Sequence, residues 1–422
     1  MVVDVLIKDI SQLITVKSGI KAKKGREMQN IGLIENGWIA IKENTIIGVG
    51  SGDIGSEFKI QEHTLIVDGK GKTVTPGLID PHTHLVHGGS RENELALKLK
   101  GVPYLEILKK GGGILSTVRA TQNSTLEELV NQSKKSLDRM LTYGVTTVEV
   151  KSGYGLEIDT EIKQLEAIDI LNKQSNSDLV STFMGAHAIP GEYRHNPDEF
   201  VDVVINEMLP IVAEKQLAEF CDVFCEEGVF SIDQTRKILK AAEKLGLKSK
   251  IHADEIISLG GAELAAELGV VSADHLMAAS EEGLKMMAEK DVVAVALPGT
   301  SFNLAMGKYA NVRKMIDYGL SVALATDYNP GSCPTENIQL IMSLGCLYLK
   351  MTPEEVISAV TINAAAAINR EHEIGSIEIG KKADIVIFDA PNLYYIPYHF
   401  GVNHVDIVIK NGKIVVKEGR LI

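Results

Sequence analysis

Histidine and acidic residues recur at the ends of short apolar runs in the middle of the chain. His82 and His84 follow the first of these runs, and residues two apart in an extended chain project to the same side. His252, His275 and Asp327 each follow a later run. Any one of them could be an ordinary hydrogen-bonded side chain. Together, imidazole and carboxylate groups at matching positions predict a metal site for zinc or iron, since magnesium and calcium prefer oxygen ligands.

The elements that would position these side chains alternate along residues 73–374. Eight short apolar runs occur there, several of them separated by amphipathic helical stretches such as LEELVNQSKKSLDRMLTYG. Such alternation predicts a parallel sheet covered by helices. Eight units favour a closed (β/α)8 TIM barrel over an open doubly wound sheet, and a barrel places catalytic groups just after its strands. The histidines and the aspartate fall at those positions.

The two ends of the chain have a different pattern. Residues 1–72 and 375–422 contain β-like runs such as VDVLIKDI, GWIAIKEN and ADIVIFDA, separated by turn residues. The pair Asn411-Gly412 between two β-branched runs is a strong signal for a hairpin. We therefore predict one α/β chain with two parts: a composite β-sandwich domain, 1–72 plus 375–422, and a hydrolase barrel, 73–374.

Composition and charge exclude several classes of partner. The chain has 43 lysines and arginines against 56 aspartates and glutamates, a formal net charge of −13, which disfavours nucleic acid and anionic membranes. No apolar run approaches the length of a membrane span, and the N-terminus does not resemble a signal peptide. The low cysteine content favours a reducing cytoplasm, with Cys221 and Cys225 as core residues.

The run TPGLIDPHTHL, with the later strand-end histidines and aspartate, resembles the amidohydrolase superfamily. Further segments resemble those members that hydrolyse a five-membered cyclic amide with a carboxylate tail during histidine degradation. These segments are HGGSRENEL, GGGILSTVRAT, VEVKSGYGL, FMGAHAIPGEY, IHADEI and ATDYNPGSCPTEN. The resemblance covers essentially the whole chain. It implies a metal-dependent hydrolase with a TIM barrel, a β domain built from both ends, and a homodimer.

The resemblance also implies roles for the strand-end residues. One divalent metal ion, zinc or iron, would activate a water for attack on the ring carbonyl. Asp327 and His275 are expected to contact that water, and Glu255 to pass a proton to the ring nitrogen. The expected metal ligands are His82, His84, His252 and Asp327.

A second metal ion is not expected. Members of the superfamily with two ions bridge them through a residue of the fourth strand, where Glu226 is the one plausible bridge. Lys151 follows the second strand and is in the wrong place for that role. The Gly111-Gly112-Gly113 run is predicted to be a loop near the site.

Substrate contacts are expected from the loops that follow the strands. Arg91 would bind the carboxylate tail with paired hydrogen bonds. Tyr154 would cover the heterocycle, and His187 would stabilise the carbonyl oxygen as it becomes an oxyanion. The tail or the product would also contact three residues of the NPGS segment: Asn329, Gly331 and Ser332.

Two alternatives remain open from the sequence. An aminohydrolase acting on cytosine, guanine or a similar base would use the same metal site, but it would not need a carboxylate clamp such as Arg91. A catalytically silent scaffold would share the fold, because fold alone does not imply function.

Overall fold

A computed structural model of the protein describes residues 1–100 and 112–422, so Gly111 of the predicted glycine loop lies outside the described residues. Within them the strands, in chain order, are β1 (Val5–Ile14), β2 (Leu33–Lys42), β3 (Thr45–Ser51), β4 (Leu65–Asp68), β5 (Thr73–Pro76), β6 (Leu78–Asp80), β7 (Val145–Lys151), β8 (Asp178–Ala186), β9 (Phe220–Cys225), β10 (Lys248–Ala253), β11 (Ser272–His275), β12 (Val293–Ala296), β13 (Val322–Leu324), β14 (Ile385–Phe388), β15 (Val405–Lys410), β16 (Lys413–Lys417) and β17 (Arg420–Leu421).

Most α-helices of the described residues lie between β6 and β13. They are α1 (Leu95–Leu99), α2 (Ile114–Asn123), α3 (Leu126–Thr142), α4 (Ile158–Gln174), α5 (Pro197–Val203), α6 (Leu209–Glu214), α7 (Ile232–Lys244), α8 (Gly261–Leu268), α9 (Glu281–Glu289), α10 (Pro298–Asn303), α11 (Val312–Asp317), α12 (Ile338–Leu347), α13 (Pro353–Ala359), α14 (Ile362–Ala367) and α15 (Tyr395–Tyr398).

The strands β6 to β13 form the barrel. They pair in sequence order, and each pair from β6–β7 to β12–β13 is parallel. The seam between β13 and β6 is bridged at the carboxyl ends, where Thr83 pairs with Tyr328. The Asp327 N–H donates to the His82 carbonyl at 3.1 Å, and the His84 N–H donates to the Tyr328 carbonyl at 2.8 Å. The predicted (β/α)8 architecture is confirmed, and its seam joins the two segments that carry three of the expected ligands.

Helix α3 shows how the sequence specifies the outer layer of the barrel. Thr125 caps the helix by accepting the Glu128 N–H, while the Glu128 carboxylate accepts the Thr125 N–H. This reciprocal capping box satisfies two of the amide groups that a helix start leaves free. The face at Leu129, Leu137 and Met140 is buried against the barrel. The amphipathic stretch predicted from the sequence therefore forms a helix, and the capping box fixes where that helix begins.

The chain termini form a second sheet. Its strand order in the described residues is β17-β16-β15-β14-β5-β1-β2-β3, with β4 paired to β1. Apolar side chains of strands from both termini share one buried cluster, which explains why the ends of the chain fold as one unit. Asn411 and Gly412 have φ of 49° and 76°, as a tight hairpin turn requires. The strand β5 belongs to this sheet, and the predicted domain boundaries, 72/73 and 374/375, stay a prediction.

None of the helices in the described ranges is both long enough and apolar enough to cross a bilayer.

Candidate metal centre and active site

Three imidazoles and one carboxylate meet at the carboxyl end of the barrel. His82 Nε2 and His84 Nε2 lie 3.6 and 3.7 Å from Asp327 Oδ1. The centre of the His252 ring is 4.5 Å from that of His82 and 5.7 Å from that of His84. All four side chains are buried. The structure therefore brings the four expected ligands together, although they come from the first, fifth and eighth strands.

The donor atoms of this cluster fit a metal ion. His82 Nε2 and His252 Nε2 are buried and have no hydrogen-bond partner within the described ranges, which is uncommon for buried polar atoms. Ligand atoms about 2.1 Å from a tetrahedral ion are roughly 3.4 Å apart, close to the two distances at Asp327. Donor atoms of His82, His84 and Asp327 lie within 4.8 Å of one another, as do those of His82, His252 and His275. His275 thus lies as close to the cluster as a ligand would, and the individual ligand roles stay a prediction.

The backbone is unusual at three rim positions. Asp254, His275 and Asp327 have φ of 49°, 74° and 54°, in the left-handed region that non-glycine residues rarely adopt. Such conformations persist where the surrounding structure enforces them, and they cluster at functional sites. Asp327 is further fixed by Thr300, whose hydroxyl donates to Asp327 Oδ2 at 2.6 Å. The aspartate therefore presents its other oxygen, Oδ1, to the histidines.

Burial sets the protonation states at the rim. It lowers the pKa of His82 and His84 well below the usual range and that of His275 to about 4, so these rings are neutral, the form that binds metals. Burial also raises the pKa of Asp327, and it raises the pKa of Glu255 to about 7. Glu255 Oε1 lies 3.7 Å from His275 Nδ1. A carboxyl group that titrates near neutral pH is thus beside a neutral imidazole, an arrangement suited to proton transfer.

A buried charged layer lies directly beneath the metal cluster, and sequence reasoning missed it. Asp274 Oδ2 is 2.6 Å from His82 Nδ1, and Asp222 Oδ2 is 3.0 Å from His252 Nδ1. The Lys151 ammonium lies between the two carboxylates, 2.7 Å from Asp222 Oδ2 and 3.4 Å from Asp274 Oδ2. Burial alone would raise the pKa of Asp222, but His252 and Lys151 hold it well below its usual range. Asp222 is therefore ionised and can accept hydrogen bonds.

Two more charges complete this layer. Glu149 accepts from Lys151 Nζ at 2.9 Å and lies 2.8 Å from Lys250 Nζ. Each of these side chains is fully buried. The signal was present in the sequence, because Glu149 and Lys151 alternate along β7 as Lys250 and His252 do along β10, and residues two apart share a face.

Glu226, the candidate bridge for a second metal ion, accepts backbone hydrogen bonds in this structure. Its carboxylate accepts the N–H groups of Ile256 at 2.8 Å and Glu227 at 3.0 Å. These contacts hold the loop that follows β10, which carries Glu255. Cys221, predicted to be a core residue, is free and buried, as is the nearby Cys225.

Arg91 is held in place by an acidic partner. Its Nε and Nη2 atoms donate to the two carboxylate oxygens of Glu94, each at 3.1 Å. Glu94 Oε1 also accepts the Gly113 N–H at 2.7 Å. The guanidinium packs against Gly331, where any side chain would overlap it. A side chain at position 331 would therefore displace the Arg91 guanidinium.

The NPGS segment forms a turn whose polar groups bond to one another. Asn329 Oδ1 accepts the N–H groups of Gly331 at 2.9 Å and Ser332 at 2.7 Å. Asn329 Nδ2 donates to the Asp327 carbonyl at 2.7 Å and to Ser332 Oγ at 2.8 Å. Direct contacts of Asn329, Gly331 and Ser332 with the substrate stay a prediction. In this structure the turn places Gly331 against the Arg91 guanidinium.

Tyr154 and His187 form an aromatic wall beside the metal cluster. The His187 ring stacks on that of His84 at 4.8 Å and 10°, and the Tyr154 ring lies 5.3 Å from that of His187. His187 Nδ1 is 2.9 Å from the Gly153 carbonyl, which can only accept, so Nδ1 carries the proton. Burial lowers the pKa of His187 to about 3. Its Nε2 is then an acceptor, which disagrees with the expected role of His187 as a donor to an oxyanion.

Comparison with known proteins agrees with the fold and with the sequence motifs. The amidohydrolase family profile matches residues 73–415. Imidazolonepropionases from Alkaliphilus oremlandii and Alkaliphilus metalliredigens are 76% and 67% identical over 422 residues, all of this chain and all of each relative. Atrazine chlorohydrolase from Arthrobacter aurescens, solved with zinc, has a TM-score of 0.71 at 17% identity, over 99% of this chain and 96% of that one, so it shares the fold. The chain belongs to the amidohydrolase family.

Proposed function

We propose that the protein hydrolyses the ring of 4-imidazolone-5-propanoate to N-formimino-L-glutamate, the activity of an imidazolonepropionase. The observation that carries the proposal is the 76% identity to the Alkaliphilus oremlandii imidazolonepropionase over the full length of both chains. The cluster of His82, His84, His252 and Asp327 supplies what hydrolysis of a cyclic amide needs, a site for a metal ion on a rim open to loops.

The reaction breaks one carbon–nitrogen bond of the ring. The carbonyl carbon gains the oxygen of a water and becomes a carboxylate, while the ring nitrogen that leaves it gains a proton. A divalent ion at the cluster would polarise the carbonyl and lower the pKa of the water toward about 7. The protein groups must therefore orient the water, take its proton and deliver a proton to the nitrogen.

Asp327, His275 and Glu255 are the groups assigned to these proton transfers. Asp327 Oδ2 accepts a hydrogen bond from Thr300 at 2.6 Å, so Oδ1 is oriented toward the cluster and can share a proton with water. Glu255 lies beside His275 and has a pKa raised to about 7 by burial. A group that titrates near the working pH can both take up and release a proton, which suits transfer to the ring nitrogen.

The substrate would lie between the metal cluster and Arg91. Arg91 donates to Glu94 through Nε and Nη2, and Nη1 makes no hydrogen bond within the described residues, so it is assigned to a carboxylate tail beside the NPGS turn of Asn329, Gly331 and Ser332. Tyr154 would cover the heterocycle. Since Nδ1 of neutral His187 donates to Gly153, its Nε2 is assigned to accept an N–H of the substrate ring.

A substrate panel tests this assignment. The protein is reconstituted with zinc and, separately, with iron, and turnover of imidazolone propionate is followed by ultraviolet absorbance beside ammonia release from cytosine and guanine. Fast loss of imidazolone propionate and no ammonia release is the expected result. Faster ammonia release would favour an aminohydrolase, and no turnover of any substrate by metal-loaded protein would favour a scaffold.

The proposal includes three further properties. One divalent ion per chain, zinc or iron, would be bound by the four clustered residues. The resemblance stated above implies a homodimer, and four free cysteines suit a reducing cytoplasm. Sedimentation and elemental analysis of the purified protein measure the first two directly.

A further inference from the structure

Lys151 contacts the two aspartates that lie behind His82 and His252 of the metal cluster. Its ammonium lies 2.7 Å from Asp222 Oδ2 and 3.4 Å from Asp274 Oδ2. Asp222 Oδ2 is in turn 3.0 Å from His252 Nδ1, and Asp274 Oδ2 is 2.6 Å from His82 Nδ1. One lysine therefore contacts both carboxylates that face the imidazoles.

The two aspartates need a cation between them. Acceptor atoms of Asp222, Asp274 and His252 lie within 4.8 Å of one another, and all three residues are buried. Two negative charges at such a distance repel strongly where water is excluded, and a buried charge without a partner is costly. The Lys151 ammonium offsets that repulsion and fixes the direction in which each carboxylate points.

A fixed carboxylate in turn fixes an imidazole. When Nδ1–H of His82 donates to Asp274, the lone pair of the ring lies on Nε2, the atom without a partner in the described residues. Carboxylates behind metal-binding histidines set the tautomer and the ring orientation, and losing them typically weakens metal binding about 10- to 100-fold. Asp222 holds His252 differently: its Oδ1 accepts the backbone N–H of His252 at 3.1 Å, while its Oδ2 lies 3.0 Å from the ring Nδ1.

We propose that Lys151 is a positioning residue for the metal centre: its ammonium holds Asp222 and Asp274 where each orients one metal-binding imidazole. This inference rests on the proposed metal site, but not on the identity of the substrate. The rival explanation is that Lys151 serves only to neutralise buried charge.

Lys250 provides a matched control. It is as fully buried as Lys151, and it shares the partner Glu149, at 2.8 Å. Its Nζ donates a hydrogen bond to the Pro81 carbonyl, at 3.3 Å, rather than to either aspartate. Replacing either lysine by methionine removes one buried cation from the same layer, but Lys151→Met alone removes the contact with Asp222 and Asp274.

The experiment measures zinc affinity of metal-free protein by competition with a chromophoric chelator, with thermal unfolding as the measure of stability. We expect Lys151→Met to bind zinc about 10- to 100-fold more weakly than the unmodified protein, and Lys250→Met to stay within about threefold. Equal weakening in both variants, or an unchanged affinity of Lys151→Met, would overturn the proposal. A general loss of stability would lower the melting temperature of both variants and leave their zinc affinities alike.

A second variant decides the matter if Lys151→Met does not fold. Asp274→Asn keeps the shape of the side chain but removes the charge that links Lys151 to His82. Zinc binding weakened at least tenfold supports the proposal, whereas an affinity within threefold overturns it. Because zinc binding is measured without substrate, failure of the substrate panel and failure of this inference are distinguishable.

Discussion

The metal side of the site and the side expected to bind the carboxylate tail are built in opposite ways. At the metal side, His82 Nε2 and His252 Nε2 are buried without partners in the described residues, while the opposite edges of the rings face carboxylates. At the tail side, Arg91 is paired with Glu94, and Asn329 bonds within its own turn. The metal side thus leaves its binding atoms free, whereas the tail side has most of its polar groups engaged.

The two sides should therefore differ in how much free energy they gain on binding. A buried atom without a partner gains much when an ion arrives, because the cost of its burial is relieved. A donor that already has a partner gains only the difference between two hydrogen bonds. We therefore expect substitutions on the metal side to reduce turnover severely, and those on the tail side to change KM by moderate factors.

Asp327→Ala should have the largest effect. The change removes an expected metal ligand, whose Oδ1 lies 3.6 Å from His82 Nε2 and 3.7 Å from His84 Nε2. We expect kcat to fall by about 10³-fold or more, with loss of bound metal. Steady-state kinetics and elemental analysis measure the two effects, and a variant that keeps near-normal turnover would remove Asp327 from the metal site.

Glu255→Gln should lower kcat by about 10²- to 10³-fold, since the amide cannot carry a proton. Metal content should stay at the value of the unmodified protein, because Glu255 is not an expected ligand. Unchanged turnover at saturating substrate would mean that another group delivers the proton to the ring nitrogen.

Arg91→Met should raise KM for imidazolone propionate about 10- to 100-fold and change kcat little, since a charge-assisted hydrogen bond is worth about 1.5–3 kcal/mol. Arg236→Met is the matched control, because Arg236 makes the same paired contact, with Glu267, at 3.0 and 2.8 Å on the outer helix α7. Equal KM values for the two variants would contradict the tail assignment.

The difference in stability between the metal-free Glu255→Gln variant and the metal-free unmodified protein should depend on pH. Burial raises the folded-state pKa of Glu255 from 4.5 to about 7, so folding binds an extra proton between those values. The unmodified protein therefore loses stability as pH rises through this window, by at most about 3 kcal/mol, and the glutamine variant does not. Denaturant unfolding at pH 5 and pH 8 should show the variant gaining relative stability at pH 8; a constant difference would show that the pKa is not raised.

Ser332→Ala should have the smallest effect. The Ser332 hydroxyl already exchanges hydrogen bonds with Asn329, at 2.8 and 3.1 Å. Since one such bond contributes about 0.5–1.5 kcal/mol, we expect KM to rise less than about tenfold. A larger rise would show that the turn opens to bind the tail, and the two sides of the site would then differ less in how far their polar groups are already engaged.

Much of the fold followed from the sequence because its signals are local. Apolar runs alternating with amphipathic helical stretches predicted the barrel, and Asn411-Gly412 predicted the hairpin between β15 and β16 in the terminal sheet. The strand-end positions of His82 and His252 were also visible, since a barrel places strand ends on one rim. These signals need only periodicity and turn chemistry.

The charged layer was not predicted, because its contacts join strands far apart in the sequence. Lys151 and Asp222 lie on β7 and β9, and Asp274 lies on β11. Buried charges are tolerated only when they are paired, but the sequence placed Lys151 just after the second barrel strand, whereas it is the fully buried last residue of β7. The tautomer of His187 likewise depends on its contact with the Gly153 carbonyl, which periodicity alone does not reveal.

Anomalous diffraction from zinc-loaded crystals would locate the metal ion itself. We expect one peak per chain, within about 2.3 Å of nitrogen atoms of His82, His84 and His252 and of an oxygen of Asp327. A second peak at Glu226, or a single peak that lies beyond the reach of these four side chains, would contradict this expectation.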